Sequence, residues 1–187
     1  FIINFSFRIN IVMKNRFVEN AEIFALIDQI PKGKRYSDIE DLHGNQYVDL
    51  VQEGGGVLGI ALVGYTYILE KAGIRFMSLA GTSAGAINTI MMAGLGRIDE
   101  EKSKKILNIL HKQPLFDFVD GPPFIRRIIN KVIKKESGLK WSLVWNGLCI
   151  YFRLKKKFGL NPGSFFEQWI SKELQRNNIH TMKDLKD

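Results

Sequence analysis

Gly81-Thr82-Ser83-Ala84-Gly85 sets a serine between small residues in the pattern G-x-S-x-G. Where a strand turns sharply into a helix, this pattern lifts the serine Oγ clear of its neighbours and offers it as a nucleophile. Thr82 and Ala84 are small enough for such a turn, and Gly81 and Gly85 remove the Cβ atoms that would block it. The same five residues could form a plain glycine-rich turn with Ser83 capping the following helix through its hydroxyl. The two uses are compatible, because a helix N-terminus at Ser83 would also favour an oxyanion beside it.

A second glycine cluster precedes the first. Gly54-Gly55-Gly56-Val57-Leu58-Gly59 matches G-x-G-x-x-G, a pattern with several uses. A dinucleotide site would need an acidic residue about 20 positions on, at the end of the next strand. That stretch reads Ala80-Gly81-Thr82-Ser83 instead. A phosphate-binding loop of the Walker type needs Lys-Ser or Lys-Thr after the glycines, and neither follows. The remaining use is an oxyanion hole, in which the bare amides of Gly54, Gly55 and Gly56 face the negative charge of a tetrahedral intermediate. Gly59 would close the motif.

Both clusters need elements to hold them. Tyr47 to Gln52 alternates and is rich in β-formers, and it stops at the three glycines, so it reads as a strand. Gly59 to Lys71 has apolar residues at helical spacing, with Gly73 placed to end the helix. Ile74 to Ala80 reads as a second strand, and Ala86 to Leu95 as a second helix. Strands alternating with helices imply a parallel sheet covered by helices, here a three-layer α/β/α domain with a mostly parallel sheet. Gly56 and Ser83 lie 27 positions apart, one helix and one strand, so both turns fall at the carboxyl edge of neighbouring strands.

Further helices are expected at 99–111, from Pro122-Pro123 to Lys135, over 141–157, and from Pro162 to Leu174. Phe17, Ile23, Phe24, Leu26 and Ile27 suggest a short amphipathic helix ended by Pro31-Lys32-Gly33. The stretch 32–45 reads as a connector.

Glu53 to Gly59 followed by Gly81 to Gly85 resembles the paired signature of patatin-like phospholipases. The similarity extends through Gly159-Leu160-Asn161-Pro162-Gly163 and ends with Thr181 to Leu185. It implies a serine lipid acyl hydrolase with a Ser-Asp dyad, Ser83 as nucleophile, and the glycines 54–56 as its oxyanion hole. It also implies a phospholipid or related lipid substrate and no cofactor or metal. Residues 47–187 would be the N-terminal part of the hydrolase domain, after an extension and connector over 1–46. The family carries Arg or Lys where this chain has Leu58. Its aspartate lies in a D-G-G or D-G-A motif well beyond the serine, whereas the Asp120-Gly121 step comes 37 positions after Ser83 and is followed by Pro122. Asp120 therefore reads as a turn residue, and the base is expected beyond residue 187. A Ser-Asp-His triad drawing on Asp117 or Asp120 with His180 is a competing arrangement, although His180, His43 and His111 lie in polar stretches. A non-catalytic lipid-binding module of the same fold is the alternative from another class.

The 187 residues are about one domain's length. Twenty-seven Lys and Arg against nineteen Asp and Glu leave a formal +8, concentrated between 124 and 157. That excess is either a solvated basic face or a surface for anionic membrane lipid. No signature of a nucleic-acid module accompanies it. Trp141 to Phe152 is broadly apolar and runs into Arg153-Leu154-Lys155-Lys156-Lys157. Burial against the sheet is expected there, with an interfacial lid as the alternative. The lone Cys149 gives no sign of an oxidising compartment, and no stretch reaches the roughly 18 to 20 apolar residues of a membrane span. A cytoplasmic or peripheral-membrane location is expected. Phe1 to Val12 is apolar without the basic leader of a signal peptide, and Met13 is the expected native start.

Overall fold

Alternation places Leu50 and Gln52 on the inward side of a strand and Val51 on the outward side, and the chain folds accordingly: β1 is Gln46–Gln52, with Leu50 and Gln52 buried and Val51 exposed. The structure is a computed structural model describing residues 20–31, 33–56, 59–134, 139–157 and 159–185. The expected start at Met13, Phe17, the expected helix end at Lys135, and residues 57 and 58 of the first glycine motif lie outside the described residues.

In chain order the elements are α1 (Ala21–Asp28), β1, α2 (Gly59–Lys71), β2 (Ile74–Gly81), α3 (Ala84–Gly94), α4 (Ser103–Lys112), a 3-10 turn at Leu115–Phe118, α5 (Pro123–Ile133), α6 (Leu139–Lys157) and α7 (Ser164–Gln175). They form two units: residues up to Lys112 together with those from Leu174 onward, and residues Gln113–Glu173.

The first unit is mixed α/β. β1 and β2 pair in parallel from Gln46 opposite Ile74 to Gln52 opposite Gly81, with an irregularity after Val48 that leaves Met77 as an extra residue. Such a bulge lets β2 bend and twist without losing its alignment at the carboxyl edge. Ile74 and Phe76 of β2 pack inward with Leu50, Val63, Tyr67, Met91, Met92, Leu95 and Ile106. Each such side chain contributes about 1.5–3 kcal/mol through burial. α2 ends as the sequence implies, with Gly73 at φ 79° donating its amide to the Glu70 carbonyl.

A polar joint fixes α4 to α2. Glu70, only 2 % exposed, accepts the amide of Lys102 at 2.7 Å and that of Ser103 at 3.0 Å. Its carboxylate thereby caps the start of α4, while Ser103 Oγ and Thr66 Oγ1 lie 2.8 Å apart. Beside it the Lys102 amine donates to the Arg97 carbonyl at 2.8 Å, and burial, partly opposed by the Glu70 charge, pushes it below the usual lysine value. Glu70→Ala would strand two buried amide donors. It is expected to cost about 2 kcal/mol, lowering Tm by about 4–8 °C. A midpoint shifted by less than about 1 °C in a circular-dichroism melt would remove the cap from this account.

The second unit is helical. Phe118 sits against Phe166 and Trp169, with ring centroids 5.3 and 5.0 Å away, and Ile125 is buried. Two expectations change here. α7 begins at Ser164 rather than at Pro162, because Gly163 takes φ 79° and the chain enters the helix only after it. α6 packs on α5, but Val144, Trp145, Leu148, Tyr151 and Phe152 are exposed rather than buried against the sheet. The window is apolar on almost every side, so its periodicity does not say which face turns inward.

Candidate active site

β2 delivers the chain to Gly81, and α3 carries it away from Ala84. Between them Ser83 adopts φ 51° and ψ −121°, roughly the mirror image of extended backbone and a region that a side-chain-bearing residue enters only under constraint. The constraint is visible. Thr82 donates its amide to the Gln52 carbonyl at 3.1 Å, extending the β1–β2 tie past the end of the strands, and the Gly85 amide donates to the Thr82 carbonyl at 2.9 Å. Gly85 lies against the carbonyl oxygens of Gln52 and Glu53, so closely that only hydrogen fits on its α-carbon.

The Ser83 side chain is exposed and, contrary to the capping use, makes no hydrogen bond to the helix it precedes. It faces the first glycine motif. A Cβ added to Gly54 would stand 2.6 Å from Ser83 Cβ and 3.3 Å from its Oγ. A methyl on Gly59 would stand 2.6 Å from Ala84 Cβ, so the two helix starts touch as well. Residues Glu53 to Gly56 are exposed, and Gly56 takes φ 54° over open space. Among the described residues the amides of Gly54, Gly55 and Gly56 donate to no backbone acceptor outside regular elements. An exposed hydroxyl, a run of exposed glycines and the N-terminus of an 11-residue helix thus share one corner, where partial positive charge gathers.

Beneath this corner Asn88 Nδ2 of α3 donates to Gln52 Oε1 at 2.8 Å, both side chains buried. The pair ties the end of β1 to the helix that starts at Ser83. Sequence reasoning passed over both residues, although an amide on the inward face of a strand, in line with Leu50, was a readable signal.

The sequence model of the family described as patatin-like phospholipase matches residues 50–186. The chain belongs to that family. It is 36 % identical over 139 residues to an uncharacterized Bacillus subtilis (strain 168) protein, YqhO, covering 74 % of this chain and 40 % of YqhO. The chain thus spans well under half the length of this relative. No solved structure matches it significantly.

In this patatin-like chain the two candidate carboxylates have structural partners. The Asp120 carboxylate accepts the amides of Gly163 at 3.0 Å and Phe165 at 2.8 Å, which caps the start of α7. Asn161 Oδ1 accepts the amides of Asp120 and Gly121, and its Nδ2 donates to the Phe118 carbonyl. Asp117 accepts from Gln113 at 3.4 Å. His180 is exposed, and its backbone amide donates to Asp184 at 2.8 Å, as does that of Thr181 at 2.7 Å. His43 is exposed and His111 half-buried in the last turn of α4. Among the described residues no cluster of His, Cys, Asp or Glu could hold a metal ion.

The Asp120 cap has a consequence in acid. Hydrogen bonds to its carboxylate, that from Phe165 first, hold the group below its ordinary value. A carboxyl depressed in the folded state stabilises above its unfolded pKa and loses that contribution as pH falls through the folded value. Below about pH 4 the amides of Gly163 and Phe165 should therefore exchange progressively faster with deuterium, and Asp120→Asn should abolish the pH dependence. Exchange independent of pH beyond its intrinsic chemistry would show that the carboxylate carries no such cap.

Proposed function

We propose that this protein is a lipid acyl hydrolase in which Ser83 attacks the carbonyl carbon of a fatty-acyl ester of a phospholipid or related lipid. The Oγ–C bond forms as the Ser83 proton passes to an aspartate, which we place beyond residue 187. The carbonyl oxygen becomes an oxyanion held by the amides of Gly54 to Gly56. Collapse breaks the ester C–O bond, and the departing alcohol takes the proton. Water then attacks the acyl-enzyme with the same carboxylate as base, freeing the fatty acid and Ser83. This chemistry calls for no metal or organic cofactor. The same reading puts the protein in the cytoplasm or at a membrane surface, where such substrates reside.

One observation carries the reading: Ser83 is held at positive φ with an exposed, uncapped hydroxyl against Gly54. A turn whose serine merely capped a helix would use that hydroxyl on the helix amides and would need no strained backbone. Membership of the patatin-like family supports hydrolysis in general. A fluorophosphonate probe, which reacts with activated serines, tests it. The full-length gene product should be labelled on the peptide containing Ser83, and the 187-residue chain alone should react slowly. Absence of labelling in the full-length product would instead favour a non-catalytic lipid-binding module.

A further inference from the structure

The second unit carries most of the chain's charge imbalance. Residues 113–173 hold eleven Lys and Arg against five Asp and Glu, a formal +6 of the total +8. The same unit exposes an apolar helix face. On α6, Val144, Trp145 and Leu148 are 70, 84 and 74 % exposed, and Tyr151 and Phe152 are more than half exposed. Their spacing is i, i+1, i+4, i+7 and i+8, so at 3.6 residues per turn they share an arc of about 120°. Lys155 falls within that arc and Lys156 just beyond it, one turn past Phe152, and both are exposed. Asn146, Gly147, Ile150 and Arg153 occupy the opposite arc and are half-buried. Leu154 lies on that arc too and is 47 % exposed, so α6 turns its aromatic stripe outward without burying a continuous apolar face on the other side.

We propose that this face of α6 docks on the surface of an anionic phospholipid bilayer. Helices that lie in the membrane interface combine an apolar stripe containing Trp, Phe and Leu with basic residues that meet the headgroups. Here the stripe would sit at the acyl boundary, with the ring of Trp145 at the interface. Lys155 and Lys156 at its end, and in the same unit the exposed Arg126 and Arg127 of α5 with Lys134 just after it, supply attraction to lipid phosphate. A second copy of the chain is a poor occupant, because stacking two such stripes would bring two units of formal +6 together. No helix of the described residues is long and apolar enough to cross a membrane, so α6 is assigned to the surface rather than the interior.

The proposal deepens the lipid-hydrolase reading and is tested apart from it, since Ser83→Ala should bind vesicles like the wild type. The 187-residue chain is mixed with vesicles of phosphatidylcholine alone or with phosphatidylglycerol added, and binding is read by sedimentation and tryptophan fluorescence. The expected result is binding to the anionic vesicles with a blue shift of emission, and weak binding to the neutral ones. Trp145→Phe should keep the binding and lose most of the shift. The double change Leu148→Glu with Phe152→Glu should lower the partition coefficient by about tenfold or more, and Lys155→Glu with Lys156→Glu should remove the preference for anionic lipid. These positions are exposed, so unchanged circular dichroism should accompany each loss. Equal binding to both vesicle types, or binding unaffected by the Leu148 and Phe152 changes, would overturn the proposal. So would a dimer that those changes dissolve without any vesicle binding.

Discussion

Replacing Ser83 by alanine in the full-length protein is expected to lower kcat for ester hydrolysis on the order of 10^4-fold or more, the scale on which a nucleophilic serine matters. Stability should barely change, because the hydroxyl caps no helix amide. Ser83→Gly should be as inactive and yet more stable. At φ 51° and ψ −121° a Cβ costs about 1–3 kcal/mol, and glycine relieves that strain while giving back about 0.5–1 kcal/mol through its freer unfolded chain. The net expectation is a gain of about 1 kcal/mol over Ser83→Ala in denaturant unfolding. Activity retained by the alanine variant would remove Ser83 as nucleophile. Equal stability of the two variants would remove the strain, and with it the reason for reading this turn as functional.

The path of the chain to that corner was legible because each element carries its own punctuation. Gly59 to Lys71, bounded by glycines and spaced like a helix, forms α2 over that same range. Tyr47 to Gln52 alternates and stops at glycine, and β1 differs from it by one residue. The mixed α/β class with a parallel sheet followed from that order, and the structure and the family match agree with it. Where partners are distant, sequence reading failed. Asp120 was readable as a turn residue, but its capping of α7 across 43 and 45 positions was not, and without that cap the pattern puts Pro162 in the first turn of the helix. The 3-10 turn at Leu115–Phe118 has no periodicity to reveal it. α6 misled for another reason: a helix apolar nearly all round has no preferred inner face until its neighbour is known, and here α6 packs on α5 with Asn146, Gly147 and Ile150 half-buried and the aromatic stripe exposed. The proximity of Gly54 to Ser83 was inferred from topology, since consecutive parallel strands place their carboxyl ends side by side.

That proximity makes Gly85→Ala the most informative change outside the serine itself. In the first turn of an exposed helix the substitution should help, since alanine is better than glycine by about 1 kcal/mol. Gly85, however, is buried with its α-carbon against the carbonyls of Gln52 and Glu53, backbone atoms that cannot rotate aside as a side chain would. The methyl must push α3 off the end of β1. Two ties bridge that gap, the Thr82 amide on the Gln52 carbonyl and Asn88 on the Gln52 side chain, and the shift strains both. Overpacking of this kind costs about 1–3 kcal/mol. Displacing Ser83 from Gly54 by even about 1 Å should lower activity about 10^2-fold. Gly147→Ala is the internal control: it lies within α6 with nothing near its absent Cβ, so propensity alone acts and a gain of about 0.5–1 kcal/mol is expected. If Gly85→Ala proved as benign as Gly147→Ala in both melting and hydrolysis, the close packing of α3 on β1 could not be what holds the serine in place. The strained turn would then need another cause.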